Sequence, residues 1–169
     1  PVELDAVHAI KDYGSKHFML ELAEYTKELS SITGKKHYLI AESNLNDVRY
    51  INPVEKGGYQ LDGQWSDDYH HAIHTKLTGD RFGYYMDYGK TKNIAKALSD
   101  TFVYDEQYSP FRKKVYGSKT DSNQGQQFVI FNQNHDQVGN RKFGERLTVL
   151  TEFEQQKLAA VALFMAPYL

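Results

Sequence analysis

Asp5, Glu42 and Asp136 each lie at or just beyond the end of a short strand-like run: Val2 to Leu4, His37 to Ala41, and Gln127 to Phe131. If those runs are parallel strands of one sheet, their carboxyl ends share a face, and three acids from distant positions converge there. Two carboxylates roughly 5–5.5 Å apart suit retaining glycoside hydrolysis, in which one attacks the anomeric carbon and the other protonates the leaving oxygen. A third acid holds sugar hydroxyls and stabilises positive charge at the anomeric centre. Asp and Glu also end strands as simple caps or turn residues, so the acids alone do not decide. Phe131 to Arg141 adds weight, because it packs His135, Arg141 and several amides around Asp136. That is equipment for gripping hydroxyl groups and stabilising charge.

Other groups suggest weaker chemistry. His70 and His74 are four apart, which places them on one helix face, as in zinc sites. The intervening Glu of the metalloprotease pattern is missing, no cysteine is available and no third ligand is specified. The expectation is a histidine cluster that serves the fold, with no metal and no cofactor. Asp80, Asp87, Asp100, Asp105 and Asp121 lack the spacing of a calcium loop and read as solvated surface. Trp65 is the sole tryptophan, and its place after a strand end suits a platform for a sugar ring. Tyr84, Tyr85, Tyr88, Tyr104 and Tyr108 suit packing first. Arg141 is positioned either to hold Asp136 and its loop or to touch substrate.

These residues need a scaffold. The periodicity predicts helices over 16–32, 66–77 and 92–99, and an apolar helix through Leu158 to Met165 behind a Thr151-x-x-Glu154 capping box. In the first, Phe18, Leu22, Tyr25, Leu29 and Ile32 form the apolar stripe and Gly34 the stop. Ser66, Asp67 and Asp68 occupy cap and first-turn positions of the second. Tyr59 to Leu61 reads as a further strand, with Asp62 at its end after the Gly57-Gly58 turn, and residues 100–124 read as loop. Strands alternating with helices argue for an α/β fold with a parallel sheet.

The chain has 169 residues and a formal net charge of -2, with no cysteine. One domain fits that length, and the charge balance gives no reason to expect nucleic-acid or membrane binding. No apolar run reaches the length of a membrane span and no signal peptide is visible. A reducing, cytoplasmic setting is the expectation. The first residue is Pro rather than Met, so the start of the natural gene product is expected elsewhere.

The ordered motifs Leu4-Asp5-Ala6-Val7-His8, Ala41-Glu42-Ser43 and Asn134-His135-Asp136 resemble those of the α-amylase superfamily of glycoside hydrolases. Longer runs resemble its malto-oligosyltrehalose trehalohydrolase family: Leu4 to Ile10, Ala41 to Asp47, Gln64 to His71 with His74, Gln133 to Arg141, and Gly144 to Leu147. The resemblance covers nearly the whole chain. It implies Asp5 as nucleophile, Glu42 as general acid/base and Asp136 as transition-state stabiliser. It further implies substrate contacts from His8, Asn134, His135 and Gln137, to which Trp65, Asp62 and Arg141 are added as candidates. The implied reaction cuts the α-1,4 link beside the terminal trehalose unit of malto-oligosyltrehalose, or of a related α-glucan. Glu42 must be protonated to act, so its pKa is expected to be raised by burial and nearby acids.

Two departures shape the expectation. The resembled nucleophile motif has arginine two residues before the aspartate, where this chain has Glu3. Either the first three residues are foreign to the natural protein, or the site is impaired. The implied fold is a (β/α)₈ barrel of about 250 residues. Residues 1–169 fit a partial catalytic domain, from strand four to the helix before strand eight. Open strand edges then predict self-association, and the isolated chain is expected to lack turnover. The alternatives are a branching or transferring enzyme of the same superfamily and a carbohydrate-binding fragment without catalysis.

Overall fold

The computed structural model describes residues 1–169. Short parallel strands alternate with helices: β1 (Val2–Leu4), α1 (Phe18–Thr33), β2 (Leu39–Ala41), β3 (Gly63–Trp65), α2 (Asp67–Thr78) and α3 (Thr91–Asp100). A small hairpin follows, β4 (Gln107–Ser109) and β5 (Lys114–Tyr116), then β6 (Phe128–Val129), α4 (His135–Gly139), α5 (Leu147–Leu150) and α6 (Phe153–Phe164). The main sheet runs in the order β1-β2-β3-β6, parallel throughout, with Leu4 opposite Ala41, Ala41 opposite Gln64 and Gln64 opposite Phe128. Asp5, Glu42, Asp67 and the segment after β6 therefore leave the sheet at one end. No helix is long and apolar enough to cross a membrane.

The two sheet faces differ. Leu39, Ala41 and Phe128 point outward into a core with Met19 and Ala23 of α1 and with Val48, Ile51 and Phe102. A second core joins Tyr69, Ala72 and Ile73 of α2 to Ala97, Val103, Ile130, Leu147 and Ala159. The inner face carries Ile40, Gly63 and Val129 along an open trough of about 570 Å³. Beyond the sheet's last strand, Ile130 donates its N–H to the carbonyl of Leu169 at 2.8 Å, and Leu169 donates to the carbonyl of Phe128 at 3.0 Å. That is the hydrogen-bond pattern of a parallel pair.

Several expectations shift. Helix α1 forms and stops at Gly34 with φ 66, but the face it buries is Met19 and Ala23, not the predicted stripe. Tyr25 is 69% and Ile32 76% exposed. Of the predicted stripe only Leu22 reaches that core. The third strand lies at Gly63–Trp65, not Tyr59–Leu61. Tyr59, Gln60 and Leu61 instead donate their N–H groups to the carbonyls of Arg49, Asn52 and Tyr50. Ser66 does not cap α2, because its hydroxyl donates to the carbonyl of Thr101 at 3.0 Å. The capping box of α6 is Glu152 with Gln155, since the Thr151 hydroxyl donates back to the Leu147 carbonyl at 2.7 Å.

Candidate active site

Strand β1 hands the chain straight into Asp5 and then Ala6, which takes a left-handed conformation at φ 49 and ψ 41. That conformation is costly for a residue with a Cβ. Here it aims the Ala6 N–H at Glu42 Oε2, 2.7 Å away. The Val7 N–H donates to the Glu42 carbonyl at 3.1 Å, and the Glu42 N–H to the Leu4 carbonyl at 2.8 Å. The ends of β1 and β2 are thus locked together, with the two acids side by side.

Asp136 arrives on a short helix rather than a strand. The Asp136 N–H donates to Asn134 Oδ1 at 3.0 Å, and the Asn134 N–H to Gln137 Oε1 at 2.7 Å. This reciprocal cap turns His135 and Asp136 back over the sheet end. His135 Nε2 then lies 3.9 Å from Asp5 Oδ2 and 3.5 Å from Asp136 Oδ1. Trp65, half-buried at the end of β3, packs against Phe131 at 5.2 Å and His135 at 6.2 Å between ring centroids.

Exposure separates the acids. Glu42 is 4% exposed, whereas the Asp5 and Asp136 side chains are 62% and 42% exposed. Burial pushes the Glu42 carboxyl up to about 7, and neighbouring Asp5 and Asp136 push the same way against the Ala6 N–H. A carboxyl that keeps its proton near neutrality suits a general acid. Glu3 is exposed on β1 and is itself raised, by burial first and then by Asp5, with His135 opposing.

A polar cavity of about 170 Å³ opens beside Glu42 and Asp136, lined also by Asp67, His71, Tyr84 and Arg112. Its floor is the first turn of α2. Burial pushes Asp67 up to about 8, with Glu42, Asp68 and Asp136 adding to the shift and Arg112 opposing it. Asp67 was read from sequence as a first-turn acid only. Placing the third strand at Tyr59–Leu61 credited its carboxyl end to Asp62; with β3 at Gly63–Trp65, the acid beyond that end is Asp67.

Not every expected contact residue converges. Asp62 precedes β3, so it lies at the opposite end of the sheet, where its Oδ2 accepts from the Leu39 N–H at 2.9 Å. Arg141 holds Asp80 at 3.1 Å and approaches Glu145 at 3.7 Å, rather than holding Asp136. His8 is exposed in the turn after Asp5 and does not line the cavity. Asn134 and Gln137 spend their side-chain oxygens on the cap, although buried Gln137 also lines the cavity. In the histidine cluster, His70 bonds the Asn132 carbonyl at 2.6 Å and the Tyr85 hydroxyl at 2.9 Å. His74 bonds Asp80 at 2.8 Å. Burial holds His70 down to about 3, and these rings tie α2 to its neighbours. Arg112 was missed because the loop reading of 100–124 hid the β4–β5 hairpin that delivers it.

The fold and the acids together define the class. A protein from Salmonella typhimurium assigned as an α-amylase superposes with a TM-score of 0.88 at 32% identity, covering 99% of this chain and 29% of that one. Over this length the chain has the fold of an α-amylase-type glycosidase. It is 48% identical over 98% of its length to malto-oligosyltrehalose trehalohydrolase from Saccharolobus solfataricus. Over 99% of its length it is 41% identical to that of Rhizobium sp. and 38% to that of Mycobacterium tuberculosis. The chain corresponds to a segment of the malto-oligosyltrehalose trehalohydrolase family, spanning 28–29% of the length of these relatives. No protein-family model matches it.

Proposed function

We propose that these residues are the catalytic quarter of a retaining glycoside hydrolase that releases trehalose from malto-oligosyltrehalose. The observation that carries this reading is the carboxyl pair: Asp5 and Glu42 leave neighbouring parallel strands side by side, and the buried Glu42 carboxyl is raised to about 7. Inverting enzymes keep their carboxyls about 6.5–9.5 Å apart to admit a water, and retaining enzymes hold them closer. Asp5 attacks the anomeric carbon as Glu42 protonates the leaving oxygen of the trehalose unit. A water then attacks the glycosyl ester at the anomeric carbon, Glu42 now accepting its proton and Asp5 leaving as carboxylate. Asp136 and His135 hold the ring hydroxyls of the sugar being cleaved. Residues 1–169 form part of a barrel domain, from its fourth strand to the helix before its eighth.

The isolated chain is proposed to lack turnover. Glu3 lies on β1 among the acids, where the related motif places arginine, and it adds negative charge beside Asp5. Glu3 also favours one second reading, a carbohydrate-binding segment that holds an α-glucan without cutting it. A full-length protein containing these residues, supplied with malto-oligosyltrehalose, tests the assignment. Trehalose appears together with a malto-oligosaccharide whose new reducing end is initially the α-anomer by proton NMR. An initial β-anomer overturns the retaining mechanism, transfer to another glucan points to a branching or transferring enzyme, and no release overturns the assignment.

A further inference from the structure

Asp67 and Asp68 are consecutive residues in the first turn of α2, both buried, and the fold treats them oppositely. Asp68 is fully satisfied: its carboxylate accepts from the Tyr88 hydroxyl, from Asn46 Nδ2 at 2.9 Å and from the N–H groups of Val103 and Tyr104 at 2.6 and 2.9 Å. Asp67 is 8% exposed, yet no residue of the chain gives it a hydrogen bond or an ion pair. Its surroundings are burial and the charges of Glu42, Asp68 and Asp136, with Arg112 the opposing one. Its oxygens are not among the sealed, unpartnered polar atoms; they open into the cavity that Asp67 lines. Its place in the first turn of α2 favours negative charge but supplies no donor.

The donors must come from the cavity. Asp67 lines it with Glu42, His71, Tyr84 and Arg112. His71 Nδ1 is buried and likewise has no partner, while its ring packs on Tyr84 at 4.4 Å. Arg112 spends one N–H group on the Asn44 carbonyl at 2.5 Å, and a guanidinium carries five. The ligand that satisfies this set is neutral, offers both O–H donors and oxygen acceptors, and has flat C–H faces for Tyr84. A sugar ring has those properties. Glu42 and Asp136 line the cavity and the nucleophile Asp5 does not, so it reaches from the stabilising acid past the general acid, away from the nucleophile and toward the leaving side of the scissile bond.

We propose that Asp67 is a substrate-binding residue: with Arg112 and His71 it grips the hydroxyls of the glucose ring on the leaving side, its carboxyl hydrogen-bonding to adjacent hydroxyl groups. This rests on the glycoside-hydrolase reading and adds to it the residue that recognises the released sugar. The test titrates the 169-residue chain and its Asp67→Asn and Asp67→Ala variants with trehalose and maltose. Calorimetry and the fluorescence of Trp65, the sole tryptophan, report binding, and thermal unfolding near neutral pH is followed in parallel. The expected result is that the parent binds trehalose, Asp67→Ala weakens binding at least tenfold and Asp67→Asn less. Both variants unfold at the same temperature as the parent or higher, because they lose an unpaired buried acid. Unchanged affinity overturns the proposal, as does a parent that binds neither sugar, and so does lost affinity accompanied by a lower unfolding temperature in both variants. Trehalose release by the full-length protein is read separately, so unchanged affinity alongside release discards only the role of Asp67.

Discussion

A carboxyl group buried beside two others keeps its proton until near neutral pH, and Glu42 needs that proton in order to donate it. Replacing Glu42 with Gln in a full-length form is expected to lower kcat about 10²–10⁴-fold, the usual worth of a general acid, with the bound sugar retained; steady-state kinetics and calorimetry check the two halves. Glu3 sits badly for a site that must keep Asp5 charged. Glu3→Arg, in that same form, is expected to raise kcat, since it replaces a like charge beside the nucleophile with an opposite one. No gain in rate would remove Glu3 as the cause of impairment. Stability carries the same signature. Folded Glu42 and Asp67 retain protons to about 7 and about 8, which the unfolded chain releases in the ordinary carboxylate range. Their contribution is therefore whole below that range and is lost as pH rises through about 7 and about 8. Urea midpoints measured from about pH 5 to about pH 9 should fall, and fall less steeply in Glu42→Gln and Asp67→Asn.

At the scale of elements, Asp68 joins α2 to Tyr88 before α3, to the segment after α3 and to Asn46 through four donors. Asp68→Ala strands those donors in the interior and should cost about 3 kcal/mol, seen as a lower urea midpoint with unchanged slope. Its neighbour Asp67 should behave in the opposite sense, which makes the pair an internal control. The same pair measures what the sequence made legible. Strand ends at Leu4 and Ala41 were readable because short strand-like runs stop at Asp5 and Glu42, and so both acids were placed. The third strand was not, because Gly63-Gln64-Trp65 is short and has no alternating pattern, while Tyr59 to Leu61 imitates a strand by pairing with the preceding turn. That slip of a few residues exchanged Asp67 for Asp62. Helix α1 was legible in extent but not in facing, since its largest apolar side chains are the exposed ones. Asn134 and Gln137 looked like ligand groups because a reciprocal cap and a sugar site use the same amides.

For the whole molecule, the sheet has two unlike borders. The border at β6 is already occupied, Leu169 bonding to the backbone on either side of Val129, while the border at β1 has β2 as its one neighbour. A strand edge left open pairs with another chain, so the isolated 169 residues are expected to self-associate; light scattering after size exclusion checks it, and a charged substitution such as Val2→Lys should return the monomer. The inequality of the borders also decides how far association goes. A molecule with two sticky borders stacks head to tail without limit, whereas one with a single sticky border can only meet its own copy. Two such borders face each other across a two-fold axis and exhaust themselves. Pairs that close, rather than fibres that grow, are therefore the expected result of the light-scattering measurement.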